Sequence, residues 1–121
     1  MKTNCFSRIL LAGLCLGSVA LSASAYEFVP NFLQMPPGKE TLGNGHGEIQ
    51  VDSKGNIYVS VQEDGAGVQV YGADGKFIKA LPLPGSLHGF VIRQDDGGEF
   101  IFAAVLGAQK VIKTTLDGEV V

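Results

Sequence analysis

Two segments of this chain repeat each other, and a repeat restricts the available folds more than any composition does, because each unit must bury its apolar face against a neighbour. The first runs His46-Gly47-Glu48-Ile49-Gln50-Val51-Asp52, turns through Ser53-Lys54-Gly55-Asn56 and continues Ile57-Tyr58-Val59-Ser60-Val61. The second opens His88-Gly89-Phe90-Val91-Ile92-Arg93, turns through Gln94-Asp95-Asp96-Gly97-Gly98-Glu99 and continues Phe100-Ile101-Phe102-Ala103-Ala104. The offset is 42 at His46/His88 and 43 at both Gly55/Gly98 and Asp74-Gly75/Asp117-Gly118, which predicts one residue added in the first turn.

Inside a unit the apolar residues alternate, as in Ile49/Val51, Ile57/Val59/Val61 and Val68/Val70, the period of a strand packed on a face. Asp74-Gly75 and Asp117-Gly118 are turn pairs, since glycine accepts the positive φ of a tight hairpin and aspartate bonds nearby backbone. The same turn role is expected of Asp52, Asp95 and Asp96. The predicted strands are about 47–52, 57–61, 68–71 and 77–81, then about 89–94, 100–104 and 110–115, with a further one starting near Glu119. Four strands in roughly 40 to 45 residues is the period of a β-propeller blade, and no 3.6-residue periodicity competes with it. The expected fold is all-β: about two four-stranded antiparallel propeller blades, residues 46–87 and an incomplete 88–121. The seven phenylalanines, with no tryptophan, are expected in the core.

Residues 1–25 read as a cleavable signal peptide. Lys2 and Arg8 are followed by an apolar run from Ile9 to Ala20, too short to span a membrane as a helix, and Ala23-Ser24-Ala25 suits signal peptidase. Cleavage before Tyr26 yields a secreted or periplasmic product with no integral membrane segment. Both cysteines are lost with the leader, so neither disulfides nor thiolate metal sites are expected. Removing Lys2 and Arg8 leaves 7 basic residues against 12 acids, a net charge of −5, with the basic residues scattered singly. Such a distribution disfavours nucleic acid as a partner. Residues 26–45 carry Pro30, Pro36 and Pro37 and should be extended and irregular, with a strand allowed at Tyr26-Glu27-Phe28-Val29.

Through His46-Gly47 to Val51-Asp52, Gly55-Asn56-Ile57-Tyr58-Val59, Val68-Gln69-Val70-Tyr71 and Asp74-Gly75-Lys76-Phe77, the chain resembles the NHL-repeat β-propellers over 46–121. The resemblance implies a closed ring, commonly of six blades. Two blades are present and the second stops at Glu119-Val120-Val121, so the expectation is an N-terminal fragment whose partners are the remaining propeller blades or another protein.

His46 and His88 are the only histidines, stand at one phase of the repeat and are each followed by glycine. A residue just before the innermost strand of a blade lies at the mouth of the central channel, where imidazoles from several blades converge and can share a divalent metal. The resemblance sharpens this, because the group includes the peptidyl-hydroxyglycine amidating lyase, which holds zinc with histidines from blade starts. It implies Zn as cofactor with His46 and His88 as metal ligands. Its third histidine, its tyrosine and its arginine have no counterpart here, so Tyr58, Tyr71 and Arg93 inherit no role. The alternative is that both histidines simply begin a strand. Glu63 and Asp64, in the loop between second and third strands, are expected on the same face and are candidates for lining a ligand site; the favoured alternative is that they are solvated loop acids beside Gly65 and Gly67. Gly43-Asn44-Gly45-His46-Gly47 precedes no helix and ends in no Lys-Ser/Thr, which excludes a phosphate loop. Two function classes remain: an exported module binding a small ligand, glycan, peptide or protein at its channel face, and a metal-dependent lyase or hydrolase whose other catalytic residues lie outside this chain.

Overall fold

Seven strands, all antiparallel to their neighbours, account for the regular structure in a computed structural model that describes residues 26–121. Strands β1 (Gly45–Val51), β2 (Ile57–Val61), β3 (Val68–Tyr71) and β4 (Phe77–Leu81) form one sheet in chain order. Strands β5 (Leu87–Asp95), β6 (Gly98–Val105) and β7 (Lys110–Thr115) form a second, again in chain order. A single 3-10 turn, Leu106–Ala108, joins β6 to β7. The signal peptide read in residues 1–25, with Cys5 and Cys15, lies outside the described residues. Among the described residues no helix is long and apolar enough to cross a membrane.

One turn design recurs three times. At Asp52, Gly72 and Thr115 the residue donates its N–H to the carbonyl four residues on and accepts from the glycine three residues on, with distances of 2.8 to 3.1 Å. Those glycines, Gly55, Gly75 and Gly118, have φ of 85°, 78° and 88°. This is a three-residue hairpin loop closed by a left-handed glycine, and it explains why the Asp-Gly pairs punctuate the strands. After the third such turn, Val120 makes an isolated bridge to Thr114 and the N–H of Val121 reaches the carbonyl of Lys113 at 2.9 Å; no fourth strand forms near Glu119, and the second sheet has three strands among the described residues.

The ladders fix which residues of the two sheets correspond. Gly45↔Val61 matches Leu87↔Val105 at the start of β1 and β5, and Tyr71, facing Ile57, matches Thr114, facing Ile101. The single insertion inferred from the sequence is therefore replaced by three length changes. Between first ladder pair and regular strand the first sheet has Ile49↔Val59 where the second has Phe90↔Ala103, so β1 carries one residue more. The first turn separates Val51 from Ile57 but Ile92 from Ile101, making the second hairpin three residues longer. The loop from Val61 to Val68 is one residue longer than its counterpart from Val105 to Val111. These nearly cancel, which is why the sequence offset moves only from 42 to 43.

With this correspondence the packing is head to tail. The first sheet meets the second through Tyr58, Val68, Val70 and Leu81, while the second answers with Phe90, Ile92, Ile101 and Ala103; Leu83 and Leu87 from the connecting segment complete one buried cluster. Tyr58 and Ile101 are not equivalents: Tyr58 corresponds to Phe102, on the other face of β6. The opposite face of the first sheet is covered at its outer half by residues 32–42. There the N–H of Gln34 reaches the carbonyl of Gly75 at 2.8 Å and Nε2 of Gln69 donates to the carbonyl of Leu42 at 3.0 Å. Consequently β2 and β3 are buried on both faces, rather than on one as simple alternation implies. The inner half is left open, so Ile49 and Val51 are 62% and 57% exposed.

The leader is irregular as expected, but Tyr26–Val29 forms no strand and its side chains are exposed. The aromatic core is also smaller than the composition implies. Among the described phenylalanines only Phe90 is buried, while Phe28 and Phe32 belong to the exposed leader and Phe100 and Phe102 lie half-buried on the outward face of the second sheet.

Candidate functional site

His46 and His88 each follow directly on the first ladder residue of the first strand of a sheet, Gly45 in β1 and Leu87 in β5. The backbone thus gives both residues one structural position, as their phase in the sequence implies. The loop 62–67 comes to the same end of the sheets: Gln62 donates its N–H to the carbonyl of Asn44 at 2.9 Å, and their side chains are hydrogen bonded. Glu63 and Asp64 accordingly lie at the histidine end, while Asp52, Asp74, Asp95, Asp96 and Asp117 lie in turns at the opposite end.

At the histidine end the closest approach is made by backbone. Gly47 has φ of 135°, and a Cβ there would overlap the carbonyl oxygen of His88 and stand 2.6 Å from Ser60 Oγ. Ser60 Oγ in turn accepts the N–H of Glu48 at 2.9 Å. Glycine at 47 is therefore required for β1 and β5 to meet. Gly89 has open space around it, so the two His-Gly pairs are not alike in their second member. The side chain of His88 is exposed.

The two loop acids are engaged. Glu63 is ion-paired with Lys39 of the leader, and Asp64 Oδ1 accepts the N–H of Gly85 at 3.1 Å, tying the loop to the segment that leads into β5. The Asp64 contact goes with the bond from the Gly67 N–H to the carbonyl of Leu83 at 2.9 Å, which lays the connecting segment along the loop. A hollow of about 240 Å³ lined by Pro36, Lys39, Glu63, Gln69 and Phe77 lies under the leader. Among the described residues no group of three or more His, Cys, Asp or Glu side chains is close enough together to hold a metal ion.

The opposite end holds the stronger electrostatics. Asp52 is buried, and burial by itself raises its pKa; hydrogen bonds outweigh that and bring the pKa below the ordinary value. They come from Asn56 Nδ2 at 2.8 Å, the N–H groups of Asn56 and Lys54 at 2.8 and 2.9 Å, and the Tyr58 hydroxyl at 3.3 Å. Burial, followed by the Asp52 charge, pushes the Tyr58 hydroxyl far above the phenol range. Tyr71 is also raised, by burial, and donates to Gln69 Oε1 at 2.5 Å. These are satisfied structural groups rather than acids or bases poised for chemistry.

Two links between the sheets have no signal in the sequence. Glu99 accepts from the N–H of Ser53 at 3.0 and 3.1 Å and from its hydroxyl at 2.5 Å, and Lys79 is ion-paired with Asp117. Neither spacing follows the repeat, so only the three-dimensional stacking brings these residues together. Comparison with protein-family models, curated proteins and solved structures gave no match.

Proposed function

We propose that the chain is an exported β-propeller repeat module of the NHL type, which holds a small ligand, glycan, peptide or protein partner at the end where β1 and β5 begin. The carrying observation is that two equivalent antiparallel sheets stack head to tail, with His46 and His88 at one position of their inner strands. Head-to-tail stacking of twisted sheets is how propellers are built, and it turns the starts of the inner strands toward a common axis. Fold analogy alone assigns no reaction. What supports binding over catalysis is the chemistry of that end: carbonyls, an exposed imidazole and a loop already braced by Lys39 and Gly85.

Nuclear magnetic resonance tests the reading. The ¹⁵N-labelled protein, titrated with a panel of short oligosaccharides and peptides, is expected to show shifts confined to residues 44–47, 62–66 and 84–89, abolished by His88→Ala. Shifts centred on the turns 52–56, 72–76 and 115–119, or none with any member of the panel, would count against it. Export is checked separately: the mature product should begin at Tyr26.

A further inference from the structure

The outward face of the second sheet is built like the face with which the first sheet grips its neighbour. Val91, Phe102, Ala104 and Val111 occupy the positions of Gln50, Tyr58, Ser60 and Val68. In the first sheet Tyr58, Ser60 and Val68 are buried against β5–β7; in the second, Val111 is 72% exposed. Lys113 lies across this face, its Nζ 4.1 Å from the Phe100 ring centroid.

At the histidine end of the same face is a groove of about 440 Å³ lined by Ala104, Leu106, Gln109, Lys110 and Val111. Lys110, paired with Val105, corresponds to Gly67, whose carbonyl accepts from Val61. Around Gly67 and Val68 the equivalent space is filled by Leu83 and Leu87, both buried, with Leu83 taking the Gly67 N–H. The groove is therefore shaped for a leucine-bearing extended segment running into an inner strand.

The chain exposes a matching surface of its own. Ile49 and Val51 correspond to Phe90 and Ile92, which are 3% and 6% exposed because they meet the first sheet, and Leu42 precedes β1 much as Leu83 precedes β5. Residues 32–42 cover only the outer half of that face, leaving the β1 side open.

We infer that the occupant of the outward face is a second copy of this chain, docked head to tail: β1 and the Leu42–Gly45 segment of one copy on the β5–β7 sheet and groove of another. Such a contact joins two different surfaces, so it propagates until a ring closes. It rests on the observed stacking of the two sheets and not on any ligand; its failure would leave the proposed binding end standing.

Sedimentation analysis over a concentration series tests it, using the full product and two variants at exposed positions, Val111→Glu and Ile49→Glu, with circular dichroism to confirm folding. The wild-type mass is expected to rise with concentration, each variant alone to remain monomeric, and a mixture of the two to form a 1:1 dimer and stop, because each variant keeps one working surface. Val51→Glu replaces Ile49→Glu should the latter fail to fold. A wild-type protein that stays monomeric throughout, association that survives Val111→Glu, or variants that do not complement each other would overturn the inference. Loss of association with Val111→Glu while Ile49→Glu still associates like the wild type would also overturn it, since that outcome belongs to a symmetric contact.

Discussion

Asp52 is the residue on which most local order converges, because one buried carboxylate receives two backbone N–H groups, an amide and a phenol. Asp52→Ala leaves the buried Tyr58 hydroxyl and the half-buried Asn56 and Lys54 donors without their acceptor, and the expected loss is about 2 kcal/mol of unfolding free energy, measured by urea denaturation at neutral pH. The carboxylate also confers a pH dependence. Its pKa is lower in the folded chain than its ordinary value, as are those of Asp74 and Asp95 through their pairs with Lys76 and Lys113. A depressed carboxylate stabilises the fold above its unfolded pKa of about 3.9, and that contribution disappears as pH falls through the folded value. Stability is expected to decline on acidification below about pH 4, and the decline to be shallower in Asp52→Asn. An acid limb identical in the two proteins would show that Asp52 titrates alike folded and unfolded.

The hairpins show what the sequence could tell and where it stopped. Gly55 and Gly75 occupy the same place in the same turn with nearly the same φ, yet their surroundings differ. A Cβ at 55 meets only Ala73 at 3.5 Å, whereas one at 75 overlaps the carbonyl of Phe32, beside the bond that fastens the leader to the turn. Gly55→Ala is expected to cost about 1 kcal/mol from the left-handed backbone alone. Gly75→Ala should cost more and also free the leader, seen as early cleavage between residues 26 and 44 in limited proteolysis; equal cost and equal protection would contradict this account. Strand positions were legible because alternation and Asp-Gly pairs are local, and all seven strands lie where those signals put them. Length changes were not legible, because an extra residue in β1, a hairpin longer by three and a shorter loop nearly cancel in the spacing. The histidine phase survives because it precedes them all. The engagement of Glu63 by Lys39 and of Asp64 by Gly85 was hidden for a different reason: leader and connecting segment reach that loop only after the sheets have formed.

At the scale of the whole chain the facing sides of the two sheets share one apolar cluster among the described residues, so the burial of each facing side depends on the other sheet. Leu81 and Ile101 are both fully buried in it, one from each sheet. The Ser53–Glu99 and Lys79–Asp117 links span the same junction near its solvent-facing margins and, being exposed, add little energy beside the burial. Cooperative unfolding of both sheets together follows, since loosening one removes the surface on which the other is buried. Leu81→Ala tests this from one side: truncating a fully buried leucine costs about 2–5 kcal/mol, and the loss should be felt in the sheet that was not altered. In native-state hydrogen exchange the slowest amides of β6, around Ile101 and Ala103, are expected to lose as much protection as those of β2 and β3. Were β5–β7 to keep wild-type protection while β1–β4 lost theirs, the second sheet would have an independent stability that the shared cluster does not allow.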